Sequence, residues 1–146
     1  MPGLHDLQRF VDAQEGIYTA ALGELHAGRK RTHWMWFVFP QVEGLGSSPT
    51  ACHFAIRSRA EAEAYLAHPL LGARLRECTA ALLAHGARTA GQILGHPDDL
   101  KLQSSLTLFA AVAGDSSPFA AALAKYYAGK RCPRTLEFLA VDDANR

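Results

Sequence analysis

Cysteine is scarce in this chain: Cys52, Cys78 and Cys132 are three thiols in 146 residues. They are odd in number, far apart and without the short paired spacing of zinc ligands, which argues against a disulfide framework or a cysteine-based metal site. They read as reduced thiols, most of them packed. An excess of charge of one sign is also missing. Fifteen Lys and Arg against 14 Asp and Glu leave a formal charge of +1, so no global basic field draws in nucleic acid and any anion site must be local. No window approaches the roughly 18 apolar residues of a membrane span. The opening MPGLHDLQRF has no charged stretch followed by an apolar core, so the cytoplasm is the expected location and no membrane partner is expected. No hairpin dipeptide separates two alternating runs and no fixed-period repeat is visible. His5, His26, His53, His85 and His96 show no ligand spacing with carboxylates or cysteines, so neither a metal nor a cofactor is expected.

What the chain does have is ordinary globular material, 49% hydrophobic and 20% charged residues. Its length fits one domain, residues 1–146 with a core of about 6–139, able to bury roughly two thirds of its unfolded surface. Helical spacing dominates. Leu7, Phe10, Val11, Tyr18, Leu22 and Leu25 predict a first long helix closed by Gly28, with Gly16 and Gly23 inside it as points of close packing. Ser58 and Glu61 have the spacing of a capping box for a helix ending before Pro69, and His68 is placed to satisfy a terminal carbonyl of that helix. Leu70 to Leu83 predicts an amphipathic helix. Thr89 to Leu94 is at most a short turn. Pro97, Asp98 and Asp99 start a helix that carries Leu100, Ser104, Thr107, Leu108 and Ala111 along one face, the two aspartates acting as caps. Ser117 with Pro118 starts another, and Thr135 to Leu139 a last short one. The fold class is all-α, a compact array of five to seven helices with room for one short buried extended segment at Trp36 to Phe39.

One stretch departs from this background. Gly28 to Pro49, GRKRTHWMWFVFPQVEGLGSSP, sets Arg29, Lys30 and Arg31 against a run holding both tryptophans of the protein, then turns to glycine and serine. The run is apolar on both faces of any strand or helix, so it is read as buried, either as a core anchor or as the wall of a pocket. Gly44, Gly46, Ser47 and Ser48, ahead of a helix start at Pro49, have the elements of an anion cradle. Arg29 and Lys30 offer countercharge, His33 and Trp34 a surface on which a ring can stack, and Gln41 an amide to read a ligand edge. A capped turn beside a solvated basic run, with the tryptophans filling the core, is the competing reading.

Lys101, Ser104 and Ser105 fall at i, i+3 and i+4, one face of a helix. Arg74 lies one turn into its own helix, within reach of an anion or a carboxylate. A lysine beside a serine permits nucleophilic chemistry, which makes Lys101 and Ser104, with Asp99 as a general base, the candidate catalytic residues. Phosphate binding or helix-to-helix hydrogen bonding explains the same spacing.

Taken together, GRKRTHWMWFVFPQVEGLGSSP, AEAYLAHPLLGARLRECT, DDLKLQSSLTLFAA and TLEFL closely resemble the bacterial domain-of-unknown-function family DUF1810, whose members are often mislabelled calpastatin. The resemblance covers roughly Asp6 to Leu139 and implies a mainly helical domain without an established activity. It departs at KRCPRTLEFL, where Cys132 and Pro133 stand in a segment that the family keeps more acidic. The layout is also faintly similar to the helical NADAR family, which acts on ADP-ribose linkages, through Pro69, Arg74 and Leu75. The expectation is a protein that binds, and in one version hydrolyses, a phosphate-bearing small molecule of nucleotide or ADP-ribose type. The alternative is a non-catalytic helical module that docks a protein partner.

Overall fold

The computed structural model describes residues 5–145. Met1 to Leu4, part of the amino-terminal stretch read above for a leader, and Arg146 lie outside the described residues. Among the described residues ten helices follow one another: α1 (Gln8–Gln14), α2 (Tyr18–Ala27), α3 (Met35–Val38), α4 (Pro49–His53), α5 (Arg59–Ala67), α6 (Leu71–Leu83), α7 (Ala90–Leu94), α8 (Asp98–Ala113), α9 (Pro118–Tyr127) and α10 (Pro133–Ala144). Among the described residues the extended pairing amounts to one isolated parallel bridge, Val42 with Ile56, and no helix is long and apolar enough to cross a membrane.

The all-α expectation holds, and the helix count exceeds five to seven for local reasons. The expected first long helix is two. Gly16 takes a positive φ of 75°, a conformation that glycine adopts without steric cost, and the chain restarts at Tyr18. Neither Gly16 nor Gly23 has a neighbour near the position of a side chain, so the predicted close packing is absent. The apolar run at Trp36 to Phe39, compatible in sequence with a short strand or a helical turn, forms one helical turn, α3. Gly28 closes α2 with φ 77° as predicted. Ser48, Ser58 and Ser117 each accept a backbone N–H from the first turn of α4, α5 and α9. His68 works in the other direction from the one predicted: its Nδ1 accepts from the N–H groups of Leu70 and Leu71, so it serves the start of α6. The last helix is twelve residues, longer than expected.

Two helices organise the rest. The α8 helix packs against α3, α5, α7, α9 and α10, while α6 packs against α2, α5 and α9. This position explains why α8 is buried nearly all round from Leu102 to Ala110 rather than along one stripe. An aromatic chain runs through the core from Phe54 to Phe10, Tyr65, Phe109 and Phe119, with neighbouring ring centroids 5.0–5.8 Å apart. Phe10 meets Tyr65 edge-on, the arrangement that the ring quadrupole favours.

The short α3 is held from outside. The amide of Gln14 (2.7 Å) and the hydroxyl of Tyr65 (3.2 Å) both donate to the Phe37 carbonyl. Arg74 donates to Gln14 at 3.2 Å and lies over the Tyr18 ring. A buried Arg9–Glu61 pair (3.1 Å) fixes α1 to α5, and Arg9 also donates to the carbonyls of His53 and Ala55, which meets the requirement that a buried charge be paired and hydrogen-bonded.

Candidate functional site

The segment before α3 is shaped by a residue that the sequence reading missed. Glu24, on α2, accepts from the N–H of Arg31 (2.8 Å), the N–H and hydroxyl of Thr32 (3.0 and 2.7 Å) and the indole N–H of Trp34 (2.9 Å). Burial alone would raise this carboxyl, but the hydrogen bonds from Arg31, Thr32 and Trp34 outweigh it and bring its pKa down to about 2. A carboxylate that accepts several N–H bonds is stabilised as the anion. Glu24 lies on the polar side of an unremarkable helix, so no sequence pattern marks it.

Trp34 is thereby committed to the interior, 0% exposed. Lys30 lies over its ring, 5.3 Å from the centroid, and pairs with Asp98 at 2.9 Å. Two positions on, Trp36 has a different fate. It is half-buried and lines two cavities that share Trp36, Gln41, Gly46, Ser47 and Ala51. Lobe A, about 800 Å³, extends over Val42, Phe54 and Ala55 and carries Glu43 and Arg57. Lobe B, about 570 Å³, reaches Leu45, Ser48, Lys101, Gln103, Ser104, Cys132 and Arg134. Lys101 sits 5.2 Å from the Trp36 centroid and 3.3 Å from Asp98, so Asp98 ties together a buried and an open lysine–tryptophan pair. The Trp36 indole makes no hydrogen bond to the described residues.

The loop between the lobes is built by close approach. A side chain on Gly46 would meet the Ala51 Cβ at 2.6 Å, so this strand of loop lies directly on α4. Arg134, on α10, donates to the Gly44 carbonyl at 2.9 Å and pins the far side. The Ser48 hydroxyl is occupied as the cap of α4 (3.1 Å to the Ala51 N–H). Because α4 is five residues long, it supplies little of the helix dipole that the anion-cradle expectation invoked.

Of the residues singled out in the sequence, Gln41, Gly44, Gly46, Ser47, Ser48, Lys101 and Ser104 line the two lobes. Arg29 and His33 are exposed and line neither, and Lys30 is taken up by Asp98 and Trp34. Arg74 braces α1 and α2, away from the groove. Ser105 is 0% exposed with an unpartnered hydroxyl and does not line the groove. The single proton of the Ser104 hydroxyl is shared between the Leu100 carbonyl (3.1 Å) and the Cys132 sulfur (3.4 Å), while Lys101 is held by Asp98. That geometry aligns no base on Ser104. Pro97 holds the N-cap position of α8, and the two aspartates lie in its first turn: Asp98 pairs with the two lysines, and Asp99 accepts the Leu100 N–H at 3.0 Å and pairs with His96 at 3.0 Å. Among the described residues no three His, Cys, Asp or Glu side chains gather as metal ligands.

No curated protein matches the chain. Among solved structures, the crystal structure of the conserved hypothetical protein Rv1873 from Mycobacterium tuberculosis is similar to it, at 55% identity and a TM-score of 0.89, over 92% of this chain and 96% of that one. The family model described as protein of unknown function (DUF1810) matches residues 4–139. A match over nearly all of its length, on the sequence that builds both the helical core and the groove, makes the chain a member of the DUF1810 family.

Proposed function

We propose that the groove across Trp36 binds a phosphate-bearing small molecule of nucleotide or ADP-ribose type. The observation that carries the reading is the meeting of two cavities at a half-buried tryptophan whose indole N–H is uncommitted. One lobe sets Val42, Phe54 and Ala55 beside Glu43 and Arg57, and the other holds Lys101 and Arg134 among apolar walls. Pockets that combine apolar walls with a few convergent polar groups are the usual form of a small-molecule site. A planar ring packs against Trp36, Val42 and Phe54, Gln41 reads its edge, and the anionic part lies toward Lys101, Arg134 and Ser47. The concave setting of Trp36 favours this over a protein-docking face, which calls for a flat exposed aromatic patch. Since no base is aligned on Ser104, the reading is of binding, with no serine nucleophile.

A thermal-shift series with ADP-ribose, nucleotides and inorganic phosphate tests it. Ligand at 100 times its dissociation constant adds about 2.7 kcal/mol to stability, a shift of several degrees for a chain of this size. The expected result is a shift with ring-bearing phosphates, lost in Trp36→Ala and Lys101→Ala. No shift with any of them would turn attention to a protein partner.

A further inference from the structure

The three thiols stand in three different environments. Cys78 is buried, and burial pushes its thiol up to about 12. Cys52 is exposed beside lobe A, with one long contact to the Gly46 carbonyl at 3.9 Å. Cys132 is half-buried in the wall of lobe B, and its surroundings are built around the sulfur. It is the N-cap of the twelve-residue α10, with Pro133 at the first helical position. The N–H groups of Arg134 and Thr135 therefore bring the positive end of the helix to it. The Ser104 hydroxyl donates to the sulfur at 3.4 Å, and the Cys132 N–H is fixed by Thr107 at 2.9 Å. The Thr135 hydroxyl, 0% exposed, has no partner beside the neutral thiol and is among the groups that favour the sulfur anion. Burial would raise this thiol, but the donors from Ser104, Thr135 and Arg134 prevail and lower it. Such settings are where reactive cysteines occur.

We propose that Cys132 is a modification site that reacts with a small anionic disulfide seated in lobe B, whose carboxylates are held by Lys101 and Arg134. The Cys132 thiolate attacks one sulfur of the disulfide. The S–S bond breaks, a new S–S bond joins Cys132 to that half, and the other half leaves as a thiolate with the electron pair. No other oxidant is required, and a small thiol reverses the step. The site uses lobe B but does not depend on a nucleotide being its ligand.

The test treats the full chain with less than one equivalent of dithiobis(nitrobenzoate), a dianionic disulfide, or cystamine, a dicationic one, and maps the modified peptide by mass spectrometry. With the dianion, Cys132 is expected to react about tenfold or more faster than the more exposed Cys52, as thiolate character demands. With cystamine the preference for Cys132 over Cys52 should fall about tenfold, because the cations of lobe B no longer add to the thiolate character. Replacing Lys101 and Arg134 together by Met should slow the dianion about tenfold and leave the rate with uncharged iodoacetamide within about twofold, since only the charged reagent uses those cations. Reaction at Cys52 first, or the same Cys132-to-Cys52 rate ratio with both disulfides, would overturn the proposal. Repeating the labelling with ADP-ribose present separates the two ideas. Cys132 reacting fast and unprotected upholds the thiol site while counting against the nucleotide reading.

Discussion

Trp34 and Trp36 are two residues apart, each has a lysine about 5 Å from its ring, and both lysines pair with Asp98. The chemistry is nearly duplicated, yet one pair is structure and the other faces a cavity. Two things separate them: among the described residues the indole N–H of Trp34 is taken by Glu24 while that of Trp36 has no partner, and Trp34 is fully buried while Trp36 lines the groove beside the Gly44 to Ser48 loop. An aromatic and cationic run in a sequence is therefore not one functional unit. Its role divides residue by residue according to which polar atoms the rest of the fold has already claimed.

The sharpest way to break the comparison is to truncate each ring. Trp34→Ala is expected to cost about 3–5 kcal/mol, as for other buried large-to-small changes, whereas Trp36→Ala should cost less, about 1–2 kcal/mol, because part of its ring already faces the groove. Urea unfolding midpoints decide this, and equal losses would dissolve the distinction.

Removing the anchor comes next. Glu24→Ala leaves the buried indole N–H without an acceptor, for an expected loss of about 1–3 kcal/mol. The pH dependence carries the same information. Glu24 has a folded pKa of about 2 against an ordinary value of 4.5, so its contribution is fully present above 4.5 and disappears as the pH falls toward 2. The wild type should thus lose stability over that window more steeply than Glu24→Ala, as read by denaturation at pH 5, 4 and 3.

The smallest effect lies at the shared carboxylate. Asp98→Asn should lower stability by about 1–2 kcal/mol, because the largely buried Lys30 ammonium loses its counter-charge while the amide oxygen can still accept its hydrogen bond. It should also tighten binding of a phosphate ligand a few-fold, because Lys101 loses its counterion. Titration with the ligand found in the thermal screen checks the sign; weaker binding would mean that Asp98 positions Lys101 rather than offsetting it.

Much of the scaffold was readable in advance. The serine caps at Ser48, Ser58 and Ser117, the stop at Gly28 and the long α6 and α8 all follow from local signals, because capping and helical periodicity are encoded within a few residues of where they act. The groove was legible in part. Gln41, the glycine and serine loop, Lys101 and Ser104 do come together, but Arg29 and Arg74 fall elsewhere. What stayed hidden depends on tertiary partners: Glu24 claiming Trp34, Asp98 claiming two lysines, Arg134 reaching Gly44 from ninety residues away. The one-turn α3 was ambiguous for the same reason, since a fully apolar run has no period to read.

That single turn has a consequence for how the molecule is assembled. Four residues cannot nucleate a helix on their own, and the Phe37 carbonyl is satisfied by Gln14 and by Tyr65, the latter 28 residues downstream. With its carbonyl held by α1 and α5, the Trp34 to Phe39 run is expected to take shape late, so its substitutions should speed unfolding more than they slow refolding, as folding and unfolding rates of the variants would show. It also means that the groove cannot be carried away as a peptide: excised from its neighbours, the stretch that looks most like a binding motif would have no conformation with which to bind.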